Sequence, residues 1–325
     1  MSKKIIYYNA SSSGSSPDFI STWDTTQAGS ASDTIILPMT AGPTVDWGDG
    51  NTDTTNTHTY TTGGIYTVTI SGTINTFRFA NTGDRRKITD VSNWGGFVLS
   101  NNSIFKGCVN LDISATDAPI ITPTSFNGLF YQCTSLTTPD FSAWDTSTVT
   151  DTRSMFYQAT SFNGDVSTWD MSNVIYIGIN QNFAGMFESA TAFAGDISNW
   201  DLSSVLRADK FAFNATNFSS DVSGWVIPAS WFSMNKMFQN SGMDSDLSSW
   251  DITGITILNN FLTGGQMSTA NYDATLIGWA AQLPITYSGI IDMGGSTYDS
   301  GDAAVVAARN AIISSVGGIT DGGAA

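Results

Sequence analysis

The sequence predicts a mainly β chain of the α+β class: an antiparallel β-sandwich, then a parallel solenoid of about seven rungs of roughly 25 residues, then a helical C-terminal cap. Three observations predict it. Tryptophans recur at Trp144, Trp169, Trp200, Trp225 and Trp250 with a period of about 25 residues, the second interval being longer by about six, and a fixed period of this size marks stacked repeats. Of the 28 acidic residues only Glu188 is Glu, beside 31 glycines; Asp prefers turns and caps, so helix is expected to be scarce. Segments such as Ile65 to Ile70, IYTVTI, alternate apolar and polar side chains, the period of a half-buried strand.

Taken in order, residues 1–22 read as an N-terminal arm, with a flexible Ser/Gly-rich stretch from Ser11 to Ser16. Residues 23–82 carry strand signals at Thr34 to Leu37, Thr44 to Trp47, Ile65 to Ile70 and Phe77 to Phe79, around the turn signal Gly48-Asp49-Gly50-Asn51. Residues 83–267 hold the repeats. The pair Met155-Phe156 is matched by Ile104-Phe105, Leu129-Phe130, Met186-Phe187, Phe211-Ala212, Met237-Phe238 and Phe261-Leu262, and Phe162 by Leu111, Leu136, Phe193, Phe218 and Met243. No single copy could bury these anchors alone, but stacked copies bury them continuously. Trp94 extends the series upstream across a degenerate copy at Thr116 to Pro119, and about six extra residues near Tyr176 to Asn182 are expected to bulge from one face. Residues 268–325 are the expected cap. Tyr272, Leu276 and Trp279 fall at helical spacing, Ser300 to Ser315 is Ala-rich behind Asp302, and Gly317-Gly318 stops it.

Two resemblances follow from these residues. Val45 to Gly72, VDWGDGNTDTTNTHTYTTGGIYTVTISG, resembles the polycystic-kidney-disease (PKD) type of β-sandwich in its WGDG turn, its His58-Thr59-Tyr60 strand and its Gly-x-Tyr-x-Val strand. Segments such as FNGDVSTWDMSNV and FAGDISNWDLSSV, with Cys133-x-x-Leu136 before Pro139-Asp140-Phe141-Ser142, resemble the BspA-type leucine-rich-repeat surface proteins. The second resemblance implies a bent parallel-strand solenoid of bacterial surface lipoproteins, adhesins and some phage-encoded proteins, and here a phage-encoded one.

Charge and chemistry narrow the function. A net charge of −16 argues against nucleic acid and anionic membrane partners, which draw affinity from Lys and Arg. No apolar run reaches the length of a membrane span, so no membrane insertion is expected. Five basic residues, Arg78, Arg85, Arg86, Lys87 and Lys106, lie close in sequence and are expected to be solvated or paired with local Asp, with a docking patch as the second reading. Cys108 and Cys133 sit one period apart, where either packed thiols or a disulfide would fit. Asp140, Asp165, Asp196, Asp221 and Asp246 form one ladder, and Asp145, Asp170, Asp201 and Asp251 a second. Each is expected to accept backbone N–H groups in its turn, with calcium between copies as the alternative. Asp46, Asp49, Asn51 and Asp53 form a further calcium candidate against the same turn reading. No other cofactor is expected. His58 is the one histidine and no nucleophile–base set accompanies it, so no enzyme is expected. The tryptophan ladder reads as core, and aromatics in non-repeating slots, Tyr131, Tyr157, Tyr176, Phe213, Trp231 and Phe232, are the ligand-contact candidates. The N-terminal segment has too few apolar residues for a signal peptide. The expectation is therefore a non-enzymatic display protein on the virion surface, a decoration, head-fibre or tail-fibre component. Its arm would meet other virion proteins, and its repeats a host surface protein or glycan. The alternative is an adhesin on a bacterial cell surface.

Overall fold

The structure, a computed structural model, describes residues 17–178 and 184–325. Residues 1–16 of the expected arm and 179–182 of the expected bulge lie outside the described residues. The N-terminal part runs β1 (Phe19–Asp24), β2 (Thr34–Ile36), β3 (Thr44–Asp46), β4 (Thr52–Asp53), β5 (Thr57–Thr59), β6 (Ile65–Ser71), β7 (Ile88–Asn93), β8 (Val98–Leu99), β9 (Asp112–Ile113) and β10 (Ile120–Ile121). One six-stranded sheet has the order β4-β3-β6-β1-β7-β9. The FISTWD alternation of β1 buries Phe19, Ser21 and Trp23. That strand pairs antiparallel with β6 from Phe19↔Ile70 to Asp24↔Ile65 and with β7 on its other side. The last pair, β7 with β9, is parallel, so the sheet changes from antiparallel to parallel as the chain enters its first copies.

Two polar features organise this end. Trp47 is buried with the His58 ring stacked on it at 5.0 Å, while the Tyr60 hydroxyl donates to the Trp47 carbonyl at 3.0 Å. His58 is thereby a packing residue. Lys87, expected to be solvated or paired with a local Asp, is fully buried: its ammonium donates to the carbonyls of Ser30, Ala31 and Thr34 at 3.2, 2.7 and 2.7 Å. Beside it Asp84 accepts the Ser30 and Ile36 N–H groups at 2.6 and 2.7 Å. A buried charge persists only when fully hydrogen-bonded, and this cage of acceptors meets that condition.

From Phe105 onward the copies stack directly. Phe105, Phe130, Phe156 and Phe187 form a column of parallel rings with centroids 5.8, 5.8 and 5.5 Å apart. Trp169, Trp200, Trp225 and Trp250 are 0 to 4% exposed, and their indole N–H groups donate to the carbonyls of Phe141, Val166, Ile197 and Val222 in the preceding copy, at 3.0 to 3.3 Å. The backbone adds its own ties, of the form Phe130 N–H to Met155 carbonyl and Phe156 N–H to Met186 carbonyl, both 2.9 Å.

The expected fold class is nevertheless overturned. A leucine-rich-repeat-like solenoid requires a parallel strand in each rung, whereas the strands here fall into the six-stranded sheet and small two-stranded sheets. Between Ile121 and Tyr176 no strand forms; the copies meet through isolated bridges such as Ser125↔Asp151 and Asp140↔Asp165. The short pair β11 (Tyr176–Gly178) and β12 (Arg207–Ala208) follows. The cause lies in the backbone. Copies carry left-handed residues four apart, Ser154 with Gln158, Lys210 with Asn214 and Lys236 with Asn240, at φ between 55° and 59°, and such residues interrupt an extended strand.

The PKD-like antiparallel sandwich is corrected too, since the main sheet is mixed. So is the helical cap: α1 (Thr269–Ala280) and α2 (Ala303–Ser315) alternate with β13 (Ile290–Asp292), β14 (Thr297–Tyr298), β15 (Gly318–Thr320) and β16 (Gly323–Ala324). These strands pair in parallel as β13 with β15 and β14 with β16. Short strands thus share this segment with the helices.

Trp144 differs from the four ladder indoles that follow it. Its Nε1 has no hydrogen-bond partner, because its partner carbonyl, 28 residues earlier as for Trp225 and Trp250, would come from the degenerate copy at Thr116. Trp225→Phe removes one of the two bonds on the buried Ile197 carbonyl, which keeps the Trp200 N–H at 3.2 Å, at a cost of about 0.5–1.5 kcal/mol, while Trp144→Phe loses a comparable ring without breaking a hydrogen bond. Urea denaturation should therefore show the larger loss for Trp225→Phe, and equal losses would refute the indole tie.

Candidate functional site

The residue after each buried pair from Ile104-Phe105 to Met237-Phe238 stands on one edge of the stack, giving the column Lys106, Tyr131, Tyr157, Glu188, Phe213, Gln239. Its backbone is fixed from the copy before: the carbonyls of Tyr131, Tyr157, Glu188 and Phe213 accept from the N–H groups of Gly107, Gln132, Gln158 and Ser189 at 2.7 to 3.0 Å. The neighbouring side chains add a second tie, with Gln132 Nε2 donating to Gln158 Oε1 at 2.8 Å and Asn240 Nδ2 to Asn214 Oδ1 at 2.9 Å. The column residues are thus set in register while their side chains vary.

Those side chains form an aromatic and cationic edge. The Lys106 ammonium lies 4.1 Å over the Tyr131 ring, and Tyr131 and Tyr157 meet at 4.5 Å. Lys236 lies 6.0 Å from the Phe213 ring, the outer limit of a cation–π contact. Between these pairs Glu188 accepts the Gly185 N–H at 3.1 Å and sits 3.8 Å from Lys210. Burial pushes the Glu188 carboxyl above the usual carboxylate range, opposed by Lys210 and Lys236. Burial likewise raises both phenols, reinforced by the Glu188 carboxylate and, at Tyr157, by Tyr131.

A second row lies on β11, β12 and the loops beside them. Arg153 pairs with Asp151 through Nε at 2.8 Å and Nη2 at 2.7 Å and covers the Tyr176 ring at 5.1 Å. Arg207 pairs with the buried Asp209 at 2.7 Å and covers Phe232 at 5.3 Å. Asp209 also accepts the Ser233 hydroxyl and the Asn235 N–H. Tyr131, Tyr157, Tyr176 and Phe213 are half-buried and Phe232 is exposed at its edge. Trp231 is different. It is fully buried with its indole N–H on the Ser233 carbonyl, which removes it from the contact candidates. The covering cations were missed by sequence reading, although the repeat signals them: Lys106 precedes Tyr131, and Arg207 precedes Phe232, by one period.

The repeated aspartates serve their own turns. Asp140, Asp165, Asp196, Asp221 and Asp246 each accept the N–H two residues on, at 2.8 to 3.0 Å, as do Asp145, Asp170, Asp201 and Asp251 at 2.9 to 3.1 Å. The Ser142 hydroxyl and N–H at Asp140, and first the N–H groups of Ser198 and Ser223 at Asp196 and Asp221, hold these three carboxyls below the usual carboxylate range. In the WGDG turn, Asp46 accepts from Gly48, Asp49 from Asn51 and Asp53 from Thr55, while Asp49 also meets His58 Nε2 at 2.9 Å. Among the described residues no group of three or more His, Cys, Asp or Glu side chains is placed to hold a metal ion. Cys108 and Cys133 are buried free thiols whose ionisation burial suppresses.

A raised carboxyl binds its proton more tightly in the folded chain, so it stabilises below the ordinary Glu value and loses that contribution as pH rises through the folded value. Glu188→Gln, which retains an acceptor for the Gly185 N–H, should melt with the parent near about pH 4, where Glu188 is largely protonated in both states. It should melt above the parent at pH 7. Thermal scans at the two pH values check this, and a variant less stable than the parent at pH 7 would show that the Lys210 contact outweighs burial.

No curated protein and no solved structure shows significant similarity to the chain. Three overlapping stretches, residues 76–185, 124–250 and 179–275, match the family described as "Mycoplasma protein of unknown function, DUF285". Together they run across the stacked copies and the column described above. The chain belongs to this family of BspA-like surface repeat proteins.

Proposed function

We propose that the chain is a non-enzymatic protein displayed on a surface, where its stacked copies present a rigid edge to a partner. The observation that carries this reading is the contrast between slots. Inward positions repeat and are closed by stacked rings, whereas the edge slot changes from Lys106 to Tyr131, Tyr157, Glu188 and Phe213 on an unchanging backbone. Variable side chains on a fixed frame are the usual layout of a recognition surface. Tyrosines with a cation at one end of the row suit either a host surface protein or a glycan, since aromatic faces and cations dominate such contacts. Membership of a surface repeat family supports the display role.

The proposed setting is a phage virion, as a decoration, head-fibre or tail-fibre component that also meets neighbouring virion proteins through its N-terminal arm. A bacterial cell surface is the second setting. The PKD-like motifs between Val45 and Gly72 fit either one, as a unit between the attached end and the repeats.

The labelled full chain, applied to a panel of bacterial and animal cells, is expected to be retained by at least one of them. Tyr131→Ala with Tyr157→Ala should reduce that retention by about tenfold, a loss of about 1.4 kcal/mol, while far-ultraviolet circular dichroism stays unchanged. Mass spectrometry of purified phage particles and of bacterial surface fractions decides the setting. A chain found in neither fraction and retained by no cell would sink the display reading.

A further inference from the structure

The segment around the ladder tryptophans reads Ala143-Trp144-Asp145, Thr168-Trp169-Asp170, Asn199-Trp200-Asp201 and Ser249-Trp250-Asp251, but one copy reads Gly224-Trp225-Val226. Both flanking side chains are changed at once, one deleted and one made apolar. In two of the other copies the residue before the tryptophan ties backward through its hydroxyl: Thr168 Oγ1 donates to the Ser142 carbonyl at 3.3 Å and Ser249 Oγ to the Ser223 carbonyl at 2.8 Å. At Gly224 no hydroxyl reaches the equivalent Ser198 carbonyl, and a Cβ there would find only that oxygen, 4.0 Å away. The residue after the tryptophan is Val226, 73% exposed where the ladder otherwise carries Asp. An open depression of about 430 Å³ lies at this place, lined by Ser198, Asn199, Asp201, Ser203, Gly224 and Val226. A volume of that size is at the lower end of small-ligand sites, about 300–1,000 Å³.

We propose that this notch is a binding site for one neutral pyranose unit of a glycan. The lining matches that chemistry group by group. The Ser198 carbonyl and the Asp201 carboxylate accept from ring hydroxyls, with Asp201 using one oxygen for the Ser203 N–H at 2.9 Å. The Asn199 amide and the Ser203 hydroxyl donate to ring and glycosidic oxygens. Val226 gives the C–H face of the sugar an apolar contact that an Asp would deny it. The carboxylate in the wall and the net charge of −16 select against sialic, uronic and phosphorylated sugars. The site deepens the display reading and rests on it for its place on a surface, but it is read separately from the tyrosine edge.

The test uses the full chain and saturation-transfer NMR with methyl glucoside, methyl galactoside and methyl mannoside, and with methyl sialoside as the charged comparison. At least one neutral glycoside should give a saturable signal and the sialoside none. Gly224→Thr and Val226→Asp restore residues that other copies carry at these slots, so each is expected to melt within a few degrees of the parent, and each should weaken sugar binding by about tenfold or more. Because Val226 is exposed, Val226→Asp remains a usable test if Gly224→Thr is poorly folded. No signal from any neutral glycoside, or an undiminished signal in the folded variants, overturns the notch. If cells are retained through Tyr131 and Tyr157 but no sugar binds, the notch alone fails; if a sugar binds but no cell or particle carries the chain, the display reading alone fails.

Discussion

Each copy of this chain depends on the next for its backbone hydrogen bonds. The turns place left-handed residues such as Ser154, Gln158, Lys236 and Asn240 at positions that no helix or strand of their own copy could satisfy. Their N–H groups go to the neighbouring copy instead, to the carbonyls of Ala184, Glu188, Asn259 and Thr263 at 2.8 to 3.0 Å. A non-glycine residue in this conformation costs roughly 1–2 kcal/mol, and a buried peptide group left unmade costs about 1–3 more. An isolated copy is therefore unstable for two reasons, its exposed rings and its unmet peptide groups. Stacking removes both.

The same pair of side-chain ties recurs past the last ladder tryptophan. Ile197 and Val222 each have their N–H taken by a hydroxyl of the following copy, Ser220 or Ser245, and their carbonyl taken by its indole, Trp225 or Trp250. Leu247 receives the same pair of bonds from helix α1, where Thr275 Oγ1 accepts its N–H and Trp279 Nε1 meets its carbonyl, both at 2.9 Å. Thr275 and Trp279 are four residues apart, on one face of the helix. A helix thus supplies the two contacts that a further copy would have supplied, although its backbone geometry is different.

Much of the core was legible in the sequence because it is written with side chains. The tryptophans and the Met155-Phe156 pair recur at a fixed spacing and fall where that spacing places them. The strands were not legible. Left-handed positions filled by Ser, Gln, Lys and Asn give no such signal as glycine gives, so stacked turns read like extended rungs. The buried Lys87 was hidden for a related reason: its acceptors are backbone carbonyls of Ser30, Ala31 and Thr34, which no residue identity announces. At the edge, Tyr131, Tyr157 and Phe213 could be singled out because they break the repeat. Trp231 breaks it as well but turns inward, since an irregular stretch marks a change of path and does not say which side of that path faces solvent.

The ladder between copies also has a direction. Phe105 donates to Leu129, Phe130 to Met155, Phe156 to Met186 and Phe187 to Phe211, always toward the later copy, so the peptide dipoles along this column add as they do along a helix. A second row runs the other way: the N–H groups of Thr150, Ile175, Leu206 and Phe232 donate to the carbonyls of Thr124, Thr150, Ile175 and Leu206 in the earlier copy. The dipoles of the two rows therefore oppose one another. Each end of the stack turns amides outward on one flank and carbonyls on the other, so that an abutting backbone must offer acceptors to one flank and donors to the other.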